Sequence, residues 1–147
     1  MEKVSVLLLL LLLILSCGNK NTICNQLSEG TFNLYENSQL IGQLFRKNNV
    51  QIEKYPNKKS YIIGKFKYIS ECQLHIKHYY IEEPIDTITW LVSYIPLADD
   101  TFEINAKPAF ISTLNYTYKA KMVKISHTID PEFDQLIKGI IKGNEPR

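Results

Sequence analysis

The chain has little of what usually betrays an enzyme. It contains no G-x-S-x-G elbow, no H-E-x-x-H pair, no phosphate-binding G-x-x-x-x-G-K loop and no G-x-G-x-x-G turn, so the common hydrolase, zinc-protease and nucleotide-binding chemistries have no foothold. It is poor in basic clusters. No Lys/Arg run exceeds two residues, as at Lys58-Lys59, and the formal net charge is only +2, which excludes an electrostatic nucleic-acid surface. Three histidines give no metal set: His75 and His78 are three apart, and in a strand such residues point to opposite faces. They and His127 read as solvated surface residues. The carboxylates Glu82, Glu83 and Asp86 around Pro84, and Asp99-Asp100, lack the alternate spacing and glycine of a calcium loop and read as turns. No cofactor and no catalytic residue are expected, and the chain does not read as an enzyme.

There is no apolar run long enough to span a bilayer. The longest, Val6 to Leu15, is ten residues where a spanning helix needs about twenty. With Lys3 before it and Ile14-Leu15-Ser16-Cys17 after it, the run reads as a signal h-region ending in a lipobox. Residues 1–16 are therefore expected to be removed and Cys17 to be acylated, with two or more chains giving stable anchoring. Residues 17–23 would form a lipidated polar tether, and residues 24–147 a single domain. The expected location is the cell envelope, at the outer membrane and on its periplasmic face. Of three cysteines, Cys24 and Cys72 then remain in an oxidising compartment, where a disulfide between them competes with two separate thiols.

What the chain does have is alternation. From Gly30 to about Ser126, short runs rich in Tyr, Phe, Ile, Val and Thr repeat with period two between Asn, Pro, Gly and Asp, the pattern of an antiparallel meander. Phe32 and Leu34 share one face of the first run. Leu40 to Arg46 follows the turn Glu36-Asn37-Ser38. Asn48-Asn49 is a hairpin signal, since Asn tolerates positive φ, and it leads into Val50 to Tyr55, where Val50 and Ile52 face away from Gln51 and Glu53. Further runs are Tyr61 to Ile69, Leu74 to Tyr80, Thr87 to Ile95 closed by Pro96, Thr101 to Asn105, Phe110 to Tyr118 and Lys119 to Ser126: eight or nine strands in all. A short C-terminal helix is predicted from Asp130 as N-cap, Pro131 in the first turn, and Phe133, Leu136, Ile137, Ile140 and Ile141 at helical spacing, with Gly143 as the stop. It should dock on the sheet. The fold expected is mainly β, a small lipocalin-like meander barrel with that helix, the alternative being a β-sandwich.

Three stretches carry a resemblance: Cys24-Asn25-Gln26-Leu27-Ser28-Glu29-Gly30-Thr31-Phe32, then Arg46 followed by Gln51 and Glu53, then Tyr68, Cys72 and Leu74. Together they resemble a family of small uncharacterised lipoproteins of Bacteroidota, with Tyr68 where that pattern usually has tryptophan. The resemblance implies lipid anchoring and the Cys24–Cys72 pairing, and it carries no activity. Two function classes stay open. One is a non-enzymatic module binding an apolar small molecule or lipid, which predicts Gly42 and Gly64 facing an interior void. The other is an accessory or inhibitory envelope protein acting through protein contact, which predicts outward Tyr35, Tyr55 and Tyr79 in one patch. Arg46, Gln51 and Glu53 read either as polar residues of functional interest or as a cross-strand pair that sets register.

Overall fold

The computed structural model describes residues 24–80, 88–110 and 116–143. The expected leader, Cys17 and its tether lie outside the described residues, as do Glu82, Glu83 and Asp86. Eight strands run in sequence order and close into a barrel: β1 (Gly30–Glu36), β2 (Gln39–Lys47), β3 (Val50–Lys54), β4 (Ile62–Ser70), β5 (Gln73–Tyr80), β6 (Thr89–Ala98), β7 (Thr101–Pro108) and β8 (Tyr118–Ser126). Every neighbour is antiparallel, and closure comes from β1 pairing β8 with Leu34 opposite Met122. The barrel, not the sandwich, is the observed architecture.

Tight turns set the registers at one end. Asn48 and Asn49 take φ of 51° and 63°, the left-handed values that asparagine accepts at little cost, and join β2 to β3 with Lys47 opposite Val50. Asp100, at φ 60°, turns β6 into β7. At the start of β1, a Cβ on Gly30 would lie 2.3 Å from the Ser126 carbonyl oxygen, so only glycine lets β1 meet β8 there.

The chain departs from the sequence expectation in three places. Pro96 does not close its strand: β6 continues to Ala98, with a bulge between Pro96 and Ala98 accommodating the missing N–H. β7 is correspondingly longer, reaching Pro108. No strand occupies the described part of 110–118 before Tyr118, and β8 runs straight through Lys119-Ala120, so eight strands complete the barrel.

The helix α1 (Pro131–Ile141) forms as the sequence predicts. The Asp130 carboxylate accepts a hydrogen bond from the Glu132 N–H at 2.9 Å, Pro131 occupies the first turn, and Gly143 at φ +80° follows the end. Its buried face, Phe133, Ile137 and Ile140, lies on the outside of the barrel against Phe45, Val50, Ile52 and Ile63. The Phe45 and Phe133 rings stack with centroids 3.9 Å apart, and Lys47 reaches the Asp134 carboxylate at 2.8 Å. The molecule therefore has two apolar clusters, one inside the barrel and one between its wall and the helix. Among the described residues no helix is long and apolar enough to cross a membrane.

Candidate binding cavity

One end of the barrel is plugged. A short 3-10 helix, Cys24–Leu27, precedes β1 and sits at the end where the β2–β3, β4–β5 and β6–β7 turns lie. Cys24 and Leu27 have no solvent exposure. A disulfide joins Cys24 to Cys72 in the β4–β5 turn. Lys124 of β8 lies over the Phe32 ring and donates to the Gln26 carbonyl at 2.6 Å, and Arg46 donates to the Leu27 carbonyl at 3.2 Å. The plug's backbone carbonyls are thus answered by two cations from the barrel wall, as a buried chain terminus of helix requires.

From this floor a cavity of about 390 Å³ rises to the opposite rim, where Lys58, Trp90 and Tyr116 surround the mouth. That volume lies in the lower part of the range for small-molecule sites. Its middle is walled by aliphatic side chains, among them Leu34, Leu44, Ile76, Val92 and Ile104. The two glycines expected at a void do face inward, but each is covered by a neighbour. A Cβ on Gly42 would meet the Tyr55 ring at 2.9 Å, and one on Gly64 would meet Ile76 Cδ1 at 2.6 Å and His78 Cδ2 at 3.1 Å. They make room for rings and branched chains to lie flat on the wall.

One side of the interior is polar. Arg46 Nε donates to Gln51 Oε1 at 2.6 Å, and Gln51 Nε2 donates to Glu53 Oε1. His78 Nε2 sits 2.8 Å from the same Glu53 oxygen, and the Tyr55 hydroxyl donates to Glu53 Oε2 at 2.7 Å. Arg46 also donates to the Tyr94 hydroxyl and lies among the rings of Phe32, Phe66 and Tyr94, at 5.6, 5.2 and 5.2 Å. Burial alone would raise the Glu53 carboxyl. The hydrogen bond and charge of His78, with the Tyr55 and Gln51 donors, outweigh it and hold the group below its ordinary value of 4.5. Burial pushes the Tyr118 hydroxyl up to about 12, with Glu36 and Glu53 adding to the effect.

Two expectations are corrected here. His78 is not a solvated surface histidine; it faces the cavity, and Glu53 gives it a buried partner. Tyr55 is not outward; it lines the cavity beside Gly42. The outward aromatic patch is consequently not formed, since Tyr35 and Tyr79 stand on β1 and β5 and Tyr79 lies beneath Lys65 and Lys77. His75 points outward toward the Phe110 ring, so the two strand histidines do lie on opposite faces. Among the described residues no three His, Cys, Asp or Glu side chains are grouped to hold a metal. Compared with family models, curated proteins and solved structures, the chain matches none.

Proposed function

We propose that this protein is a non-enzymatic binding module of the bacterial cell envelope, lipid-anchored through Cys17 and holding a small, mainly apolar ligand inside its barrel. The observation that carries this reading is the cavity itself: about 390 Å³, apolar through its middle, plugged at one end and lined by aromatic rings at the other. The plug and the disulfide place Cys24 at the closed end. An anchor seven residues earlier would keep that end at the membrane and turn the mouth away from it. The sequence resemblance to small Bacteroidota lipoproteins supports the same anchor, and the outer membrane is the location that resemblance favours. The rival reading, an accessory or inhibitory protein acting by contact, draws no support from the tyrosines it needed.

Trp90 is the only tryptophan in the chain and lines the cavity near its mouth, so its emission reports on occupancy. The test is native mass spectrometry of the full chain produced in an oxidising compartment, together with Trp90 fluorescence during titration with octanol. A one-to-one adduct and a saturable change in emission are expected, both abolished by Ala106→Phe, which fills the cavity from β7. Mass and emission left unchanged by octanol and by octanoic acid alike would refute the binding reading. Palmitate labelling checks the anchor: incorporation that survives Cys17→Ala would overturn it.

A further inference from the structure

We infer that the cavity's ligand carries a carboxylate, seated at the floor against Arg46, with its hydrocarbon part directed toward Trp90. The inference rests on the cavity-binding reading and adds to it the chemistry of the head group.

Arg46 is 2 % exposed and is one of only two arginines in the chain. A buried guanidinium is costly unless an anion or a full set of acceptors answers it. Here, three of its five N–H groups have acceptors among the described residues: the Gln51 amide, the Leu27 carbonyl and the Tyr94 hydroxyl. All three acceptors are neutral, and two N–H groups remain. Glu53, the buried carboxylate on the neighbouring strand, reaches Arg46 only through Gln51. Its own oxygens are engaged by Gln51, His78 and Tyr55.

The rest of the floor repeats the imbalance. Tyr94 spends its oxygen accepting from Arg46, which leaves the hydroxyl proton to be donated elsewhere. The Tyr68 hydroxyl is buried and has no hydrogen-bond partner among the described residues, and it lies close enough to Arg46 and Tyr94 to feel both electrostatically. The floor is thus rich in donors and poor in acceptors, and Arg46 forms no ion pair among the described residues. A group that only accepts, has two oxygens and is negatively charged completes it. A carboxylate is that group, and its planar fork matches a guanidinium. The aliphatic wall above then suits the chain of a medium-length fatty acid or a similar apolar acid.

The experiment compares octanoic acid, octanol and methyl octanoate as ligands of the full chain, read by Trp90 fluorescence at neutral pH. A charge-assisted contact predicts that the acid binds about tenfold or more tightly than either neutral analogue. Arg46→Met keeps the length and apolar contacts among the rings, and should bring the acid's affinity down to that of octanol and methyl octanoate measured on the same variant. Tyr94→Phe removes one donor at the floor and should reduce the preference without abolishing it, which keeps the test open if Arg46→Met does not fold. Equal binding of acid and alcohol by the native protein would overturn the head-group assignment and leave the cavity reading standing. If none of the three binds, both fall together.

Discussion

Removing the Cys24–Cys72 disulfide tests how the barrel floor is held. The bridge spans 48 positions of sequence, and the chain-entropy relation for a loop of that size gives about 4 kcal/mol, with engineered cases commonly recovering less. Two other links remain in a Cys24→Ala/Cys72→Ala double variant: Lys124 to the Gln26 carbonyl and Arg46 to the Leu27 carbonyl. Each is a hydrogen bond from a cation, worth roughly 1.5–3 kcal/mol in a buried setting. They hold the plug in the folded state and do nothing to the unfolded chain. The disulfide's contribution therefore survives as an unfolded-state effect, and the expected loss is about 2–4 kcal/mol. In urea, with a slope of about 2 kcal/mol/M for a domain of this size, the midpoint should fall by about 1–2 M. Hydrogen exchange adds a local reading: amides of residues 24–28 should lose protection more than those of β6 and β7, because the bridge clamps only the plug. A midpoint shift below about 0.3 M, with an unchanged slope, would refute the argument and show that the plug's cation contacts alone set its stability.

Phe133→Ala should cost about 3–5 kcal/mol, the range for deleting a buried aromatic, because its ring stacks on Phe45 and is edged by Tyr61; a loss under 1 kcal/mol in urea denaturation would mean that α1 is not part of the cooperative core. Glu53→Gln should flatten the acid limb of stability. The Glu53 carboxyl lies below its ordinary value of 4.5 in the fold, so its stabilisation is present above about pH 4.5 and is lost as pH falls through the folded value. Stability measured from pH 7 to pH 2.5 should fall more steeply in the native protein than in the variant, and parallel curves would overturn the assignment.

Much of the fold could be read from the residues, and the reasons are local. Asn48-Asn49 declared its turn because asparagine tolerates the left-handed conformation, and Asp130-Pro131 declared a helix start because each residue satisfies a requirement of the first turn. Pro96 misled because a bulge, which is a property of the pair β6–β7, absorbs what a single strand could not. His78 was legible as a strand residue, while the run read as reaching Tyr55 ends at Lys54; for both residues, alternation states a period and not which face is inside. The site became visible only when strands were assembled. The three stretches from Cys24 to Phe32, through Arg46, Gln51 and Glu53, to Tyr68, Cys72 and Leu74 are separated by up to fifty positions. They meet at the closed end: the plug, its disulfide, the ring beneath Lys124 and the polar wall around Arg46.

The orientation of β3 explains why that wall is polar. Taken alone, Val50-Gln51-Ile52-Glu53 fits a barrel better with its aliphatic residues inside, and a slip of one residue would place them there. Instead Val50 and Ile52 face out, where α1 covers them with Phe133 and Ile137, and Gln51 and Glu53 face in. The helix supplies the burial that the interior would otherwise have provided, which frees one wall of the cavity for hydrogen-bonding groups. Cross-strand chemistry selects the same register, since Arg46 stands directly opposite Gln51 and bonds to it, while Phe45 stands opposite Ile52 under the helix. In a slipped arrangement the Arg46 guanidinium would lose Gln51, and Glu53 would lose His78. The polar contacts that fix the register are thus the same ones that line one wall of the cavity, as the reading of Arg46 and Gln51 as a register-setting cross-strand pair expects.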